Sequence, residues 1–226
     1  MSDLNAFAFH GETFVALPEQ ALWWPRRRAL LAADLHLEKA SSHARRGQFL
    51  PPYDSLQALG VLEALVQRLD PQEFWCLGDS FHDRHASDRL HPDVRTRLRR
   101  LTERLHWRWI TGNHDPAVDA ALGGESMEGA ALDGFILRHE ADPAERRPEL
   151  SGHFHPKLRL QVRGHAISRR CFACGAAKLI LPAFGPLTGG LSVTDPAISR
   201  LLGPEGEALV PTPTGLRRYP IGALSP

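Results

Sequence analysis

Two histidines lie one residue apart in residues 151–156, which read SGHFHP. In an extended segment, residues i and i+2 point to the same side, so His153 and His155 are predicted to project together while Phe154 packs on the other side. Imidazole nitrogens are common metal ligands, so the pair could bind one metal ion, two or none. A polar strand end that happens to carry two histidines is the simpler interpretation, and the other polar residues must decide.

Further metal-capable side chains occur in four other segments, each after a predicted strand. The segments are Asp34-Leu35-His36, Gly78-Asp79, Gly112-Asn113-His114-Asp115 and His139. In parallel α/β sheets, ligands collect at the carboxyl ends of strands, so residues far apart in sequence can converge on one site. Such a series of strand ends, in chain order, argues against coincidence and predicts a shared site.

The elements that must position these residues alternate between strands and helices. Apolar runs predict buried strands at residues 29–33, 73–77 and 107–110. Between them, apolar residues from Leu56 to Leu69 fall on one helix face after a cap at Asp54 or Ser55, and a second helix is predicted at residues 92–105. This β-α-β-α-β order predicts parallel strands with helical crossovers.

Beyond residue 130 the pattern changes to shorter strands separated by turns. Strands are predicted at residues 134–138, 157–162, 177–181 and 191–193. The whole predicts a mixed, two-sheet α/β fold in one domain, residues 1–202. Residues 203–226, rich in proline and glycine, are predicted to form a loop-like C-terminal tail.

Composition narrows the class of protein. The chain has 226 residues, 42% hydrophobic and 23% charged, as in ordinary globular proteins. It has no long apolar run and no signal-like start, so we expect a soluble, cytoplasmic protein without a membrane partner. The three cysteines do not form a disulfide framework, and for the pair Cys171 and Cys174 a packed strand or turn is favoured over a zinc or redox site.

Positive charge is clustered although the net charge is only +1. Arginines recur at residues 26–28, 45–46, 95–108 and 159–170. Such clusters either contact a phosphate backbone or form solvated faces, and the composition leaves both interpretations open.

Taken together, the metal-capable segments resemble the motifs of the calcineurin-like metallophosphoesterases. The resemblance implies a four-layer α/β/β/α sandwich, with two mixed sheets flanked by helices and a dinuclear metal centre. The implied ligands are Asp34, His36 and His155 for the first metal, Asn113, His139 and His153 for the second, and Asp79 as the bridge. His114 resembles the family's catalytic histidine, with Asp115 as a candidate to orient it, and a structural role is the alternative for His114.

Two divalent metal ions are therefore the expected cofactors. Imidazole, amide and carboxylate ligands without a thiolate suit manganese, iron or zinc better than calcium. We expect manganese, with iron and zinc as the alternatives. The implied reaction is phosphoester hydrolysis by a water molecule that the two metals activate.

A closer resemblance is to the bacterial DNA ligase-associated metallophosphoesterases, through residues 33–39, 50–54, 179–185 and 188–191. It implies a metal-dependent phosphodiesterase that cleaves DNA as a repair endonuclease, with single-stranded DNA as the expected partner and a functional link to a helicase and a DNA ligase. For residues 179–185, a core strand that enters a proline and glycine turn is favoured over a direct substrate contact. Weaker candidates for lining a substrate groove are Arg45, Arg46, Tyr53 and His82.

Two other functions stay open at this point. One is a phosphatase or phosphodiesterase of nucleotides or other small phosphoesters, which an enclosed and non-basic pocket would favour. The other is a catalytically silent scaffold, against which the retention of every implied ligand argues. The sequence identifies no docking surface and no oligomeric state.

Overall fold

The described part of the chain, residues 4–224 without the side chain of Val162, contains two seven-stranded sheets in this computed structural model. The first sheet consists, in spatial order, of β1 (Ala6–Phe9), β2 (Glu12–Ala16), β3 (Leu22–Trp24), β4 (Ala29–Ala32), β5 (Glu73–Leu77), β6 (His106–Ile110) and β7 (Glu125–Met127). Strands β1 to β4 are antiparallel to their neighbours, whereas β4 to β7 are parallel.

Helices connect the parallel strands of this sheet. Between β4 and β5 lie α1 (Lys39–Ala44) and α2 (Asp54–Leu69), and between β5 and β6 lie α3 (Ala86–Arg89) and α4 (Pro92–Arg104). The predicted β-α-β-α-β unit is therefore confirmed. In the described residues no helix has the length and hydropathy that crossing a membrane requires.

The second sheet is built from the later part of the chain. Its strands are β8 (Gly129–Leu132), β9 (Phe135–Arg138), β10 (Glu149–Ser151), β13 (Phe172–Cys174), β14 (Lys178–Ile180), β15 (Glu207–Thr212) and β16 (Gly215–Pro220), in the spatial order β16-β15-β13-β14-β10-β9-β8. Strands β9, β10 and β14 are parallel. A separate hairpin pairs β11 (Lys157–Val162) with β12 (His165–Arg170), and α5 is Pro196–Leu202.

Three hydrophobic clusters give the molecule its layers. One lies between α2, α4 and the first sheet, where Leu59 and Leu98 meet Phe74. A second lies between the two sheets, and a third packs α5 against the outer face of the second sheet. Neighbouring residues of β4 serve different clusters, since Leu30 faces the helices and Leu31 faces the second sheet. This is the predicted four-layer α/β/β/α sandwich.

The prediction of a loop-like tail from residue 203 is wrong for most of that segment. Strands β15 and β16 pair as a hairpin at the edge of the second sheet, with Ala208 and Leu209 fully buried. Proline and glycine here mark the short hairpin turn between Thr212 and Gly215, not an extended loop. The last two residues of the predicted tail lie outside the described residues. Residues 191–193 also differ from prediction, because they contribute only an isolated bridge from Ser192 to Lys157.

The cysteine pair packs in the second sheet, as predicted. Cys171 is fully buried beside β13, and burial raises the pKa of its thiol to about 12. Burial likewise raises the pKa of the Cys174 thiol to about 11. Neither thiol is an activated nucleophile or a ready metal ligand in this setting.

Tertiary contacts, not the predicted side-chain cap, fix the start of α2. Asp54 Oδ2 accepts a hydrogen bond from the backbone N–H of Ala40 (3.0 Å), and Ser55 Oγ accepts one from the N–H of Glu38 (2.9 Å). Tyr53 occupies the cap position without a side-chain cap bond. The beginning of α2 is thereby tied to the segment that follows β4.

Candidate metal centre

The loops at the carboxyl ends of five strands meet at one edge of the two sheets. Asp34 and His36 follow β4, Asp79 follows β5, Asn113 and His114 follow β6, His139 follows β9, and His153 and His155 follow β10. Backbone hydrogen bonds join neighbouring loops: Asp34 N–H donates to Gly78 O (3.1 Å), and His36 N–H donates to Asp79 O (2.9 Å). The structure therefore brings together every predicted ligand.

Asp34, His36 and His155 form the first group of potential ligands, with their ligand atoms within 4.8 Å of one another. His155 Nε2 lies 3.3 Å from His36 Nε2 and 3.5 Å from Asp34 Oδ1. Burial, with His155 and His114 close by, lowers the pKa of His36 to about 2. The imidazole is therefore neutral, which is the form that binds metals.

Asp79, His139 and His153 form the second group, again within 4.8 Å. His139 Nε2 lies 2.9 Å from Asn113 Oδ1 and 3.1 Å from His153 Nδ1. Because His139 Nδ1–H donates to Leu77 O (3.2 Å), the Nε2 lone pair is left facing the group. Asn113 thus adds an amide oxygen to this second group.

Asp79 lies between the two groups. Its Oδ2 atom is 3.8 Å from His36 Nε2 in the first group and 3.5 Å from His139 Nε2 in the second. Its Oδ1 atom accepts a hydrogen bond from the N–H of His114 (3.0 Å). This is the position that a bridging carboxylate would take, and the allocation of metals to the groups stays a prediction.

Charge and ligand chemistry fit two divalent cations. Asp34 and Asp79 are almost fully buried, and within the described residues their only ion-pair partners are histidines. These two buried carboxylates have no arginine or lysine partner within the described residues, so they leave negative charge that metal ions would neutralise. The nitrogen and oxygen donors suit first-row transition metals.

Backbone strain is concentrated at this site. Five of the predicted ligands have positive φ, between 45° and 73°: Asp34, His36, Asp79, His153 and His155. The extended conformation predicted for the SGHFHP segment is therefore wrong. A turn sends His153 and His155 to different groups, and left-handed residues other than glycine cluster where a structure must hold a site in place.

Gly78 permits the close packing of two ligand loops. It has a φ of +80°, and a Cβ atom at this position would overlap the ring of His139. Among the described residues, Gly134 offers a matched comparison, since its φ is +87° and no heavy atom lies within 4 Å of the Cβ position. Both glycines have a left-handed backbone, but only at Gly78 would an added Cβ atom meet the His139 ring.

Gly78→Ala is expected to destabilise the fold by about 2 kcal/mol or more, because overpacking adds to the left-handed strain. Thermal unfolding would show a fall in Tm of roughly 4–8 °C, together with weaker metal binding through the displaced His139. Gly134→Ala should show only the smaller effect of the strain. Equal losses of Tm in the two variants would contradict a role for the His139 contact.

The orientation of His114 differs from prediction. Its Nδ1–H donates to the backbone oxygen of His82 (2.7 Å), so Asp115 does not orient the ring. Asp115 instead accepts from the N–H groups of Phe81 and Gly112, both at 3.0 Å, and burial raises its pKa to about 6. His114 Nε2 is left facing the site, 4.0 Å from Asp79 Oδ2.

A cavity of about 220 Å³ lies at the metal centre, and Lys39 forms part of its wall. Lys39 is not among the predicted site residues. Its side chain is half-buried, and in the part of the chain that the structure describes its ammonium group has no ion pair or hydrogen bond. Burial lowers the pKa of Lys39. In the sequence, the position of Lys39 three residues after the predicted ligand His36 is the feature that could have indicated a place in the site.

The weaker candidates are divided by the structure. His82 lines the metal-centre cavity, and Arg45 and Arg46 line an adjoining cleft of about 560 Å³. Residues 179–185 take the packing role: Phe184 N–H donates to Ala33 O (2.8 Å) and Gly185 N–H donates to Asp34 O (3.1 Å). The backbone of this segment thus holds the Asp34 loop in place, and none of its side chains lines the metal-centre cavity.

Comparison with solved structures identifies a similar protein. The chain is similar to Pseudomonas putida nuclease MPE, with 30% sequence identity, a TM-score of 0.72, and coverage of 90% of this chain and 94% of that one. A second likeness is to Yfce, a phosphoesterase from E. coli, with 17% identity, coverage of 72% and 83%, and a TM-score of 0.40 that is too low to support any inference. No protein-family model and no curated protein matches the chain.

Proposed function

We propose that this protein is a manganese-dependent phosphodiesterase that cuts DNA internally, with a role in DNA repair. The proposal starts from its family, since the chain belongs to the calcineurin-like metallophosphoesterases and is a hydrolase of phosphoester bonds. The observation that carries the proposal is the shared wall between the metal-centre cavity and the basic cleft. Asn113 and His114 line both spaces. A phosphate of a long strand could therefore reach the ligands while the strand continues along the cleft.

The cleft's arginines are available to bind phosphate. Arg45, Arg46 and Arg84 line it, and among the described residues none of the three forms an ion pair. By contrast, the cluster at residues 26–28 is neutralised by acids such as Glu12 and Asp133. Most arginines of the cluster at residues 95–108 are also paired with acids. The cluster at residues 159–170 also forms no ion pair among the described residues, but Arg45, Arg46 and Arg84 are the unpaired arginines that line the cleft beside the metal centre.

Two divalent ions bound there would withdraw charge from the phosphoryl group and lower the pKa of a bound water molecule. The chain's own part is to hold the ligands and to move a proton. Because the His82 carbonyl oxygen can only accept, the His114 Nδ1 atom carries hydrogen, and Nε2 is the atom that exchanges a proton with a substrate oxygen. His114 is suited to protonate the leaving oxygen.

Lys39→Met is expected to lower kcat/KM for phosphodiester hydrolysis by about 10- to 100-fold, because the variant cannot make a charged hydrogen bond to the substrate phosphate. Steady-state kinetics on a labelled oligonucleotide and on a small diester would measure it. Arg217→Met is the control, since Arg217 is an exposed cation on β16 in the second sheet. A Lys39→Met variant with wild-type kinetics would exclude the lysine from substrate binding.

The test of the proposed function is incubation of closed circular single-stranded DNA with purified protein and manganese, beside the Asp79→Asn variant. A circle has no ends, so only an endonuclease converts it to a linear product. We expect linear DNA from the wild type alone. An intact circle, with hydrolysis of a small phosphoester, would favour the small-molecule phosphoesterase instead, and inactivity on both substrates would favour the silent scaffold.

A further inference from the structure

Two exposed aromatic side chains lie in the loop between α1 and α2, residues 45–53. Phe49 is 87% exposed and Tyr53 is 65% exposed. Among the described residues, the other exposed large hydrophobic side chains are Leu4 and Leu191, which are aliphatic and lie elsewhere in the sequence. A phenylalanine that is almost wholly in water has no packing role within the chain, but both of its ring faces are free to stack.

A row of aromatic rings ties the first half of this loop to the metal centre. Gln48 Oε1 lies 2.8 Å from His43 Nδ1, and the Gln48 N–H donates to His43 O (3.0 Å). The His43 ring stacks on His82, with centroids 5.7 Å apart, and His82 stacks on His114 at 5.3 Å. Phe49 therefore follows directly after a residue held by this row.

The second half of the loop is held against the same site. The hydrogen bonds that Asp54 accepts from the N–H of Ala40 and that Ser55 accepts from the N–H of Glu38 fix the residues that follow Tyr53. Glu38 and Ala40 belong to the segment that begins at the ligand His36. Both ends of the loop are thus positioned relative to the metal centre.

The charges of the loop match a nucleic-acid strand. Arg45 and Arg46 are exposed, line the cleft that His114 also lines, and form no ion pair within the described residues. Arginines that follow a backbone of phosphates, interleaved with aromatic rings, are typical of proteins that bind single strands. The bases of a duplex are paired and stacked, so they cannot stack on protein rings without being unpaired.

We propose that Phe49 and Tyr53 form a platform on which the unpaired bases of a single DNA strand stack, while Arg45 and Arg46 contact its phosphates next to the scissile position. The inference rests on the proposed function for its substrate and adds the residues that select an unpaired strand. The platform does not take part in the chemistry at the metal centre.

The test compares two labelled strands of equal length and charge, one with normal bases and one in which every site is abasic. Binding is measured by fluorescence anisotropy in EDTA, so that no metal-dependent cleavage occurs. Phe49→Ala and Tyr53→Ala should each raise Kd for the normal strand about 5-fold or more and leave Kd for the abasic strand unchanged. Phe49→Trp should retain tight binding, because it keeps a ring.

Arginine variants give the complementary result. Arg45→Ala and Arg46→Ala should weaken binding to both strands and lower the slope of log Kd against log salt by about 0.7 for each phosphate that the variant no longer neutralises. Arg217→Ala is the matched control and should leave both strands unaffected. Aromatic variants that bind the normal strand like the wild type, or that weaken binding to the abasic strand equally, would overturn the proposal.

Hydrolysis of bis(p-nitrophenyl) phosphate separates this inference from the proposed function. The aromatic variants should hydrolyse this small diester at the wild-type rate. A wild type that shows the base-dependent binding but does not cut DNA would remove the proposed function and leave the platform. A wild type that cuts DNA with no contribution from the rings would remove the platform and leave the proposed function.

Discussion

Asp79→Asn is expected to lower kcat/KM for phosphodiester hydrolysis by about 10³-fold or more. The Asp79 carboxylate lies within 4 Å of a histidine of each ligand group through Oδ2, so its charge would balance two cations at once. Asparagine keeps the oxygen that accepts from His114 N–H and therefore preserves the local fold. The measurements are steady-state kinetics with manganese and the metal content of the purified variant.

Metal content should fall from two ions per chain to one or none, while the thermal unfolding of the metal-free protein stays close to that of the wild type. Asp93→Asn is the control, because Asp93 is an exposed acid in the first turn of α4. A variant that keeps two metals and normal turnover would contradict the bridging role of Asp79.

His114→Ala is expected to reduce kcat by about 10²- to 10⁴-fold while both metals stay bound. The loss should depend on the leaving group, because protonation matters most for a poor one. We therefore expect a large loss on DNA, whose leaving group is a sugar hydroxyl, and a much smaller one on bis(p-nitrophenyl) phosphate. The ratio of the two losses, measured beside metal content, is the diagnostic quantity.

His165→Ala serves as the histidine control, since His165 is exposed on β12. Equal losses on the two substrates, accompanied by loss of metal, would show that His114 acts through the structure of the site. His82 contributes a backbone oxygen and a stacked ring to His114, and only the ring is lost in His82→Ala, so this variant should preserve the Nδ1 contact and spare most of the leaving-group effect.

The parallel pairing of the central strands and the convergence of the site residues could be predicted from sequence. Continuous apolar runs such as Leu30-Leu31-Ala32 indicate strands buried on both faces, and a helix between two such runs indicates parallel pairing. Parallel strands bring their carboxyl ends to one edge, so Asp34 and Asp79 could be placed together without coordinates. The family resemblance then implied which ligands belong together.

Local backbone conformation could not be predicted. The SGHFHP histidines have positive φ, which no periodicity reveals, and they separate because a turn replaces the expected extended segment. Asp115 adjoins His114 in sequence, yet its carboxylate bonds to backbone N–H groups of other residues. Proximity along the chain is a poor guide to orientation where a loop turns sharply.

Ion pairs between distant elements could not be predicted from the sequence either. Arg26 and Asp133 are far apart in sequence but form an ion pair, so the most compact arginine cluster is neutralised. Arg45 and Arg46 look less prominent in sequence but are free in the described structure. Lys39 and Phe49 carried no periodic signal, since single exposed or half-buried residues in loops follow no pattern.

The dinuclear centre proposed at this edge of the sheets consists of two metal ions bridged by Asp79. Its most direct test is a crystal of the manganese-loaded protein measured near the manganese absorption edge. We expect two anomalous peaks, one against Asp34, His36 and His155 and one against Asn113, His139 and His153, with the Asp79 carboxylate touching both. A single peak, or peaks away from Asp79, would contradict the dinuclear centre.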